Sequence, residues 1–237
     1  MANNIVIDSN RWVACFDILG FKNLLEKYKD NLFGVANTEY TDVLEAVRRQ
    51  VSEWKNHVSA VWFSDTFLLY TKDDSRESFE ALRNGVCLFT QQLLSKNIPV
   101  TGSLTVGEFY SEGTRRIFIG PALATAYHYA KKLGFIGAVL TPQGRTKVAG
   151  SYPELLDENS LFVEYDVPVK SGGGYGSELL MAVRLASASI VDGRNVDALT
   201  IEEITAASKR NRTKDGWWKV EPRYKNTITF IQKTRLK

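Results

Sequence analysis

The 237 residues contain only two cysteines, two histidines, two methionines and six prolines. Cys15 and Cys87 both lie inside apolar runs, which excludes a disulfide-stapled scaffold and fits two reduced, buried thiols. His57 has no partner at metal-ligand spacing and reads as structural. No apolar run approaches the roughly 20 residues that span a bilayer, and Met1–Arg11 lacks the basic and apolar regions of a secretory signal. A protein of the cytoplasm, with no membrane partner, is the expectation. Internal repeats and low-complexity linkers are also missing, so one elaborated domain is favoured over two.

Net charge is small, +3, but it is unevenly spread. Residues 201–237 hold ten Lys/Arg against four Asp/Glu, which is +6 and leaves −3 for residues 1–200. Such a tail can attract nucleic acid, although a solvated helical face is the commoner outcome, and no nucleic-acid partner is expected. Trp217, Trp218, Ile228, Phe230 and Ile231 indicate that this segment packs on something. With 44% apolar and 24% charged residues, the remainder is ordinary for a globular protein.

The patterning places a buried strand at Arg11–Ile18 and a helix over Phe21–Tyr28 after Gly20. Val43, Val47, Val51 and Trp54 recur at helical spacing and form one apolar face. Val58–Phe63 and Thr66–Thr71 read as strands of a tight hairpin with Ser64-Asp65 at its tip. Ser75 opens a long helix that stops before Pro99. Val100–Tyr110 and Arg116–Ile119 read as paired strands. A helix then starts at Gly120-Pro121, with Leu123, Tyr127, Ala130 and Leu133 on its apolar face, followed by a strand over Phe135–Thr141. Leu161–Val169 and Glu178–Leu185 form a hairpin around the glycine-rich Ser171–Gly174, which lacks the spacing of a phosphate-cradling loop. Helices over Ile201–Asn211 and Asn226–Leu236 close the chain. The fold class is α+β, a sandwich with one sheet face under helices, built from residues 1–150 with a C-terminal α/β extension over 151–237.

Asp17 and Asp65 stand out chemically, because each carboxylate is flanked by apolar residues at a strand end. Such carboxylates are costly unless paired, protonated or bound to a cation. Two hard oxygen ligands at one sheet end suit Mg²⁺ or Mn²⁺, which take the rest of their shell from water and phosphate. Each aspartate could instead cap a turn or a helix start.

Asp17-Ile18-Leu19-Gly20-Phe21 resembles the motif that opens the catalytic domain of class III nucleotide cyclases. Ser64-Asp65 falls 48 positions after Asp17, where that family carries its second metal aspartate. Val100–Glu108, Ile119–Ala126 and Phe135–Thr141 resemble, in order, the family's next strand, helix start and strand. The resemblance covers residues 11–150 and implies a ferredoxin-like (palm) sandwich. It implies two Mn²⁺ or Mg²⁺ ions held by Asp17, Asp65 and the Ile18 carbonyl. It also implies a homodimer with sites at the interface, and closure of a nucleoside triphosphate to a 3′,5′-cyclic nucleotide. By the same resemblance Phe16, Leu19, Gly20, Phe21 and Ser64 border the nucleotide; the helix opening at Leu19–Phe21 offers N–H groups to phosphate. Arg116 is the first choice for a phosphate-binding cation, ahead of Lys132, Arg115 and Lys131.

The departures narrow the reading. The family's transition-state Asn and Arg correspond here to Ala124 and His128. Positions that read a purine correspond to Val61 and Ile117, both apolar, and Phe63 is a candidate for stacking on a base. Intact aspartates, altered base readers and a Gly-Pro-Ala-Leu helix start resemble the pyrimidine cyclases of bacterial Pycsar anti-phage systems. That branch implies UTP as substrate and cyclic UMP as product, with CTP and cyclic CMP as the alternative. A non-catalytic module that binds nucleotide or dimerises is the other alternative. A diguanylate cyclase would carry Gly-Gly-Asp-Glu-Phe at the hairpin, where this chain has Phe63-Ser64-Asp65-Thr66-Phe67.

Overall fold

The computed structural model describes residues 10–27, 29–31, 34, 40–51, 53–96, 98–157, 161–171, 174–185, 189–191, 194–196, 204–205, 208–209 and 217–234. The apolar run at the N-terminus becomes β1 (Asn10–Ile18), an interior strand, third in order, of a seven-stranded sheet. It runs antiparallel to both neighbours, β3 (Thr66–Thr71) and β4 (Val100–Glu108), so both its backbone edges are satisfied. β2 (Val58–Phe63) lies outside β3, and β7 (Gly137–Leu140) pairs in parallel with β4. β9 (Gly174–Val183) and β8 (Phe162–Ser171) complete the order β2-β3-β1-β4-β7-β9-β8. The chain beyond residue 150 therefore supplies two strands of the same sheet.

β1 alternates its side chains between two cores. Trp12, Ala14, Phe16 and Ile18 face the helices α2 (Thr41–Gln50), α3 (Trp54–His57) and α4 (Arg76–Ser95). Val43, Val47, Val51 and Trp54 all reach this core as their spacing predicts, although the helix breaks at Val51. Gly102 leaves room for Phe16, since a Cβ there would lie 2.4 Å from the ring. α4 begins where expected: Ser75 accepts from the Ser78 N–H at 3.3 Å, and Asp73 braces both hydroxyls at 2.5–2.6 Å.

The opposite face is covered as well, where the sequence indicates helices on one face only. Val13, Cys15 and Leu68 pack under Ala122 and Ala126 of α5 (Pro121–Lys132). Of the predicted face, Ala130 and Leu133 are buried as expected, but Ala122 and Ala126 take the places expected of Leu123 and Tyr127. Small side chains let this helix sit close to the sheet, and Ser103 Oγ donates to the Ala126 carbonyl at 2.7 Å. Farther along, Phe135, Val139, Val167 and Leu180 pack with Tyr224, Phe230 and Ile231 of α7 (Trp217–Thr234). That helix begins before Pro222, earlier than the expected Asn226.

Three smaller elements differ from or add to expectation. The strand from Val100 ends at Glu108, and β5 (Tyr110–Glu112) pairs with β6 (Ile117–Ile119) in a separate ribbon. A second ribbon joins β10 (Ser189–Val191) to β11 (Arg194–Val196). α1 (Phe21–Lys27) and α6 (Pro142–Ser151) are short connectors. The helix expected at Ile201–Asn211 lies largely outside the described residues.

Candidate active site at the end of the central strands

Strand register brings the two predicted aspartates together. Asp17 is opposite Thr66 on one side and Thr101 on the other. Just beyond it, the Ile18 N–H donates to the Asp65 carbonyl at 2.8 Å, and the Leu19 N–H to the Pro99 carbonyl at 2.9 Å. The strand end is thus clamped on both edges, and pleating puts Asp17 on the α5 face with Cys15. Asp65 is the second residue of the two-residue β2–β3 loop. Ser64 precedes it with a φ of 52°, a left-handed conformation that two-residue hairpins require. The Trp62 indole N–H donates to the Ser64 carbonyl at 2.7 Å and holds the turn.

Lys131, from the last turn of α5, reaches between these carboxylates. Its Nζ donates to Asp17 Oδ1 and lies 3.8 Å from Asp65 Oδ2. The Asp17 side chain is only 13% exposed, and burial raises its pKa above the ordinary carboxylate value, against the pull of Lys131 and with a push from Asp65. For Lys131, burial works against the charge, but the hydrogen bond to Asp17 and the attraction of both carboxylates raise its pKa. Two carboxylates share one ammonium, so a negative charge is left over. The donor set therefore fits a divalent cation, whose place the ammonium partly takes. Among the described residues no third Asp, Glu, His or Cys joins this pair.

The other expected positions divide into three groups. Phe16 is wholly buried, its ring edge-on to Phe89, and only its backbone borders the site. Ile18 is buried, Leu19 and Phe21 pack partly against the cores, and Gly20 has a φ of 76° with open space around its α-carbon. Val61 packs half-buried against the core that holds Val13, Cys15 and Leu68, whereas Phe63 (54% exposed) and Ile117 stand out to solvent. Ala124 and His128 are on the exposed face of α5, and His128 meets the edge of Tyr129. Arg116 lies in the β5–β6 turn with a φ of 55° and has no contact with Asp17 or Asp65 within the chain. Lys132 is committed elsewhere: it bonds Glu178 at 2.5 Å and lies 3.8 Å above the Tyr129 ring. Lys131 carries the contact instead, one of four basic residues the sequence offers near this helix. Trp54 and Trp62 are structural, the former in the core and the latter stacked on Phe67. His57 meets Ser78 Oγ at 3.0 Å, a structural contact.

No family model matches the chain, and no curated protein does. Solved structures do. The catalytic core of a rhodopsin-guanylyl cyclase with converted specificity, in complex with ATPαS, matches with a TM-score of 0.53 at 14% identity, over 74% of this chain and 94% of that one. The chain has the fold of a class III nucleotide cyclase catalytic domain. The non-canonical dimeric guanylyl cyclase domain of the RhoGC fusion protein from the aquatic fungus Blastocladiella emersonii matches equally, with a TM-score of 0.53 at 14% identity, covering 74% of this chain and 96% of that one. The guanylyl cyclase Cya2 follows with a TM-score of 0.51 at 11% identity, 74% of this chain and 91% of that one. Within this cyclase fold the Asp17–Asp65 pair sits at the ends of the central antiparallel strands. No helix among the described residues is long and apolar enough to cross a membrane.

Proposed function

We propose that this protein is a pyrimidine nucleotide cyclase that converts UTP to 3′,5′-cyclic UMP and pyrophosphate, with CTP as the alternative substrate. The observation that carries the reading is the Asp17–Asp65 pair, two carboxylates clamped at adjacent strand ends of a cyclase fold and left with excess negative charge. Asp17, Asp65 and the Ile18 carbonyl would hold Mn²⁺ or Mg²⁺. When bound, such ions supply electrostatic stabilisation of the phosphates and a more acidic ribose hydroxyl. In the reaction the 3′-oxygen bonds to the α-phosphorus, the bond to the β-phosphate oxygen breaks, and the hydroxyl proton leaves to water.

The chain's own residues position rather than react. Strand pairing fixes where the carboxylates stand, so little reorganisation is needed on binding. Lys131 offsets part of the charge of the metal-free pair. Phe63, exposed beside Asp65, is available to stack on a base. Apolar Val61 and Ile117 supply no hydrogen bonds of the kind a purine-selective site needs, which favours a pyrimidine. A homodimer fits the exposed apolar residues Phe63, Ile117, Ile119 and Tyr127, the last on the same helix as Ala124 and His128. A cytoplasmic second-messenger role in bacterial anti-phage defence follows from the resemblance, as does a division into a core over 1–150 and an extension over 151–237.

One observation favours a second reading. Lys131 fills part of the cation position, and Ala124 and His128 replace the expected polar pair, as a nucleotide-binding module without turnover would allow. Product analysis decides between them. Purified protein is incubated separately with ATP, GTP, CTP and UTP in the presence of Mn²⁺, and cyclic products are identified by mass spectrometry. Cyclic UMP is expected, and Asp17→Ala abolishes it without loss of fold. Binding without product from any triphosphate would establish the module instead, and a cyclic purine would overturn the base assignment.

A further inference from the structure

β4 carries three wholly buried hydroxyls on the face that meets α5, those of Thr101, Ser103 and Thr105. Ser103 fixes the face, since its Oγ donates to the Ala126 carbonyl of α5 at 2.7 Å, and the period of two puts Thr101 and Thr105 on the same side. Thr105 is satisfied as well, its Oγ1 accepting from Thr141 Oγ1 at 2.8 Å. Thr101 is the exception: its Oγ1 is buried and has no hydrogen-bond partner. A buried hydroxyl left unmatched costs about 1–3 kcal/mol, a cost that an isosteric valine would not carry.

Strand register gives this hydroxyl its neighbour. Thr101 is the direct cross-strand partner of Asp17, whose side chain lies on the same α5 face. Side chains paired in this way have β-carbons about 4.5–5.5 Å apart, a span that a hydroxyl and a carboxylate together can bridge. Among the described residues Asp17 accepts one hydrogen bond, from Lys131 to Oδ1, and none reaches Oδ2. An unused donor and an unused acceptor are thus neighbours across the β1–β4 ladder. The other aspartate already has such a partner: Thr66, opposite Asp17 on its other edge, donates from Oγ1 to Asp65 Oδ1 in a long bond of 3.4 Å. Each carboxylate therefore has one threonine hydroxyl within reach, and only that of Thr101 is unused. Lys131 sets the present orientation of Asp17. The terminal torsion of aspartate is soft, so Oδ2 is able to turn to Thr101 once the ammonium is replaced.

We infer that Thr101 is the positioning residue for Asp17, its hydroxyl donating to Oδ2 and fixing the orientation in which the carboxylate meets a divalent cation. The inference rests on the carboxylate pair of the cyclase reading and deepens it, and its first readout needs no nucleotide. Mn²⁺ alone is titrated calorimetrically into the full chain and into Thr101→Val, Thr101→Ser and Asp17→Asn. Wild type binds Mn²⁺, and Asp17→Asn does not, which locates the ion. Groups that orient a metal ligand are worth about 10–100-fold in metal affinity, so Thr101→Val weakens Mn²⁺ binding by roughly tenfold or more. Thr101→Ser keeps the hydroxyl, drops the methyl group and retains the wild-type affinity. Urea melts without metal separate orientation from folding: Thr101→Val, relieved of an unmatched hydroxyl, is at least as stable as wild type. In the cyclisation assay Thr101→Val needs about tenfold more Mn²⁺ for half-maximal rate, and Thr101→Ser does not. Mn²⁺ affinity unchanged in Thr101→Val, or lowered equally in Thr101→Ser, overturns the inference and leaves the carboxylate pair as the metal site. No Mn²⁺ binding by wild type overturns that site and the inference with it. Thr101-dependent Mn²⁺ binding without cyclic product from any triphosphate upholds the inference and removes the cyclase reading.

Discussion

Asp17 and Lys131 make a contact that spans 114 positions of sequence, and it sets the resting charge of the site. An ammonium satisfies one carboxylate fully and the second only at 3.8 Å, so the pair remains short of positive charge. Replacing Lys131 by Met leaves two carboxylates facing each other with no cation between them. Their repulsion is relieved most by a divalent ion. Mn²⁺ binding to Lys131→Met, followed by calorimetry without nucleotide, is therefore expected to be about tenfold tighter than to wild type, a gain of roughly 1.4 kcal/mol. Equal or weaker binding would mean that Lys131 does not compete for the cation position. The aspartates themselves are legible in the sequence, since a charge inside an apolar run is conspicuous. Lys131 is legible only as one of several basic residues, because nothing local tells which lysine of a helix end turns inward. Thr101 is harder still: a threonine inside a strand reads as packing, and only the register with β1 sets it beside Asp17.

α4 shows how an element is begun and how tightly it is packed. Asp73 accepts from the Ser75 N–H at 3.1 Å and from the Ser75 and Ser78 hydroxyls. Partial burial opposes its charge, but these hydrogen bonds hold its pKa below the ordinary 3.8. A carboxyl with a depressed folded pKa stabilises above its unfolded pKa and loses that contribution as pH falls through the folded one. Asp73→Ala is expected to lower stability by about 1 kcal/mol at neutral pH, with the difference from wild type shrinking below pH 3.8; urea melts of both proteins across that range check it. In the middle of α4, Gly85 is a different case. Alanine there gains about 1 kcal/mol in helix propensity, but its Cβ would lie 2.0 Å from the Trp54 ring, and overpacking a core costs about 1–3 kcal/mol. Trp54 is wholly buried and cannot swing away. Net destabilisation of Gly85→Ala, by up to about 2 kcal/mol, is the expected result of thermal melts. Elements of this kind, with strong apolar periodicity and a serine cap, follow from local pattern. α5 does not, because an alanine stripe carries little hydrophobic signal and the larger Leu123 and Tyr127 draw the assignment away from Ala122 and Ala126.

For the whole molecule, the sheet is one structure but its α5 face is closed by parts distant in sequence. Tyr224, Phe230 and Ile231 of α7 are fully buried against residues 133–139 and the β8–β9 hairpin. At about 1.5–3 kcal/mol for each such side chain, their loss removes roughly 5–9 kcal/mol, comparable with the total stability of a domain. Deletion of residues 217–237 is expected to leave an aggregating chain without near-ultraviolet circular dichroism; a soluble, cooperatively melting product would contradict it. The seven-stranded order depends on such long-range closure, which explains why the β8–β9 hairpin is readable while its place beside β7 is not.

The same separation has a consequence in time. The carboxylate pair is complete once residue 65 has been made, whereas Arg223 of α7 follows 158 positions later. At synthesis rates of about 5–20 residues per second, roughly 8–30 s pass between the two. A nascent chain thus acquires both carboxylates early, Lys131 66 positions after Asp65, and Arg223 later still. Until Lys131 has been made, the emerging polypeptide carries both carboxylates without the ammonium that pairs with them in the fold.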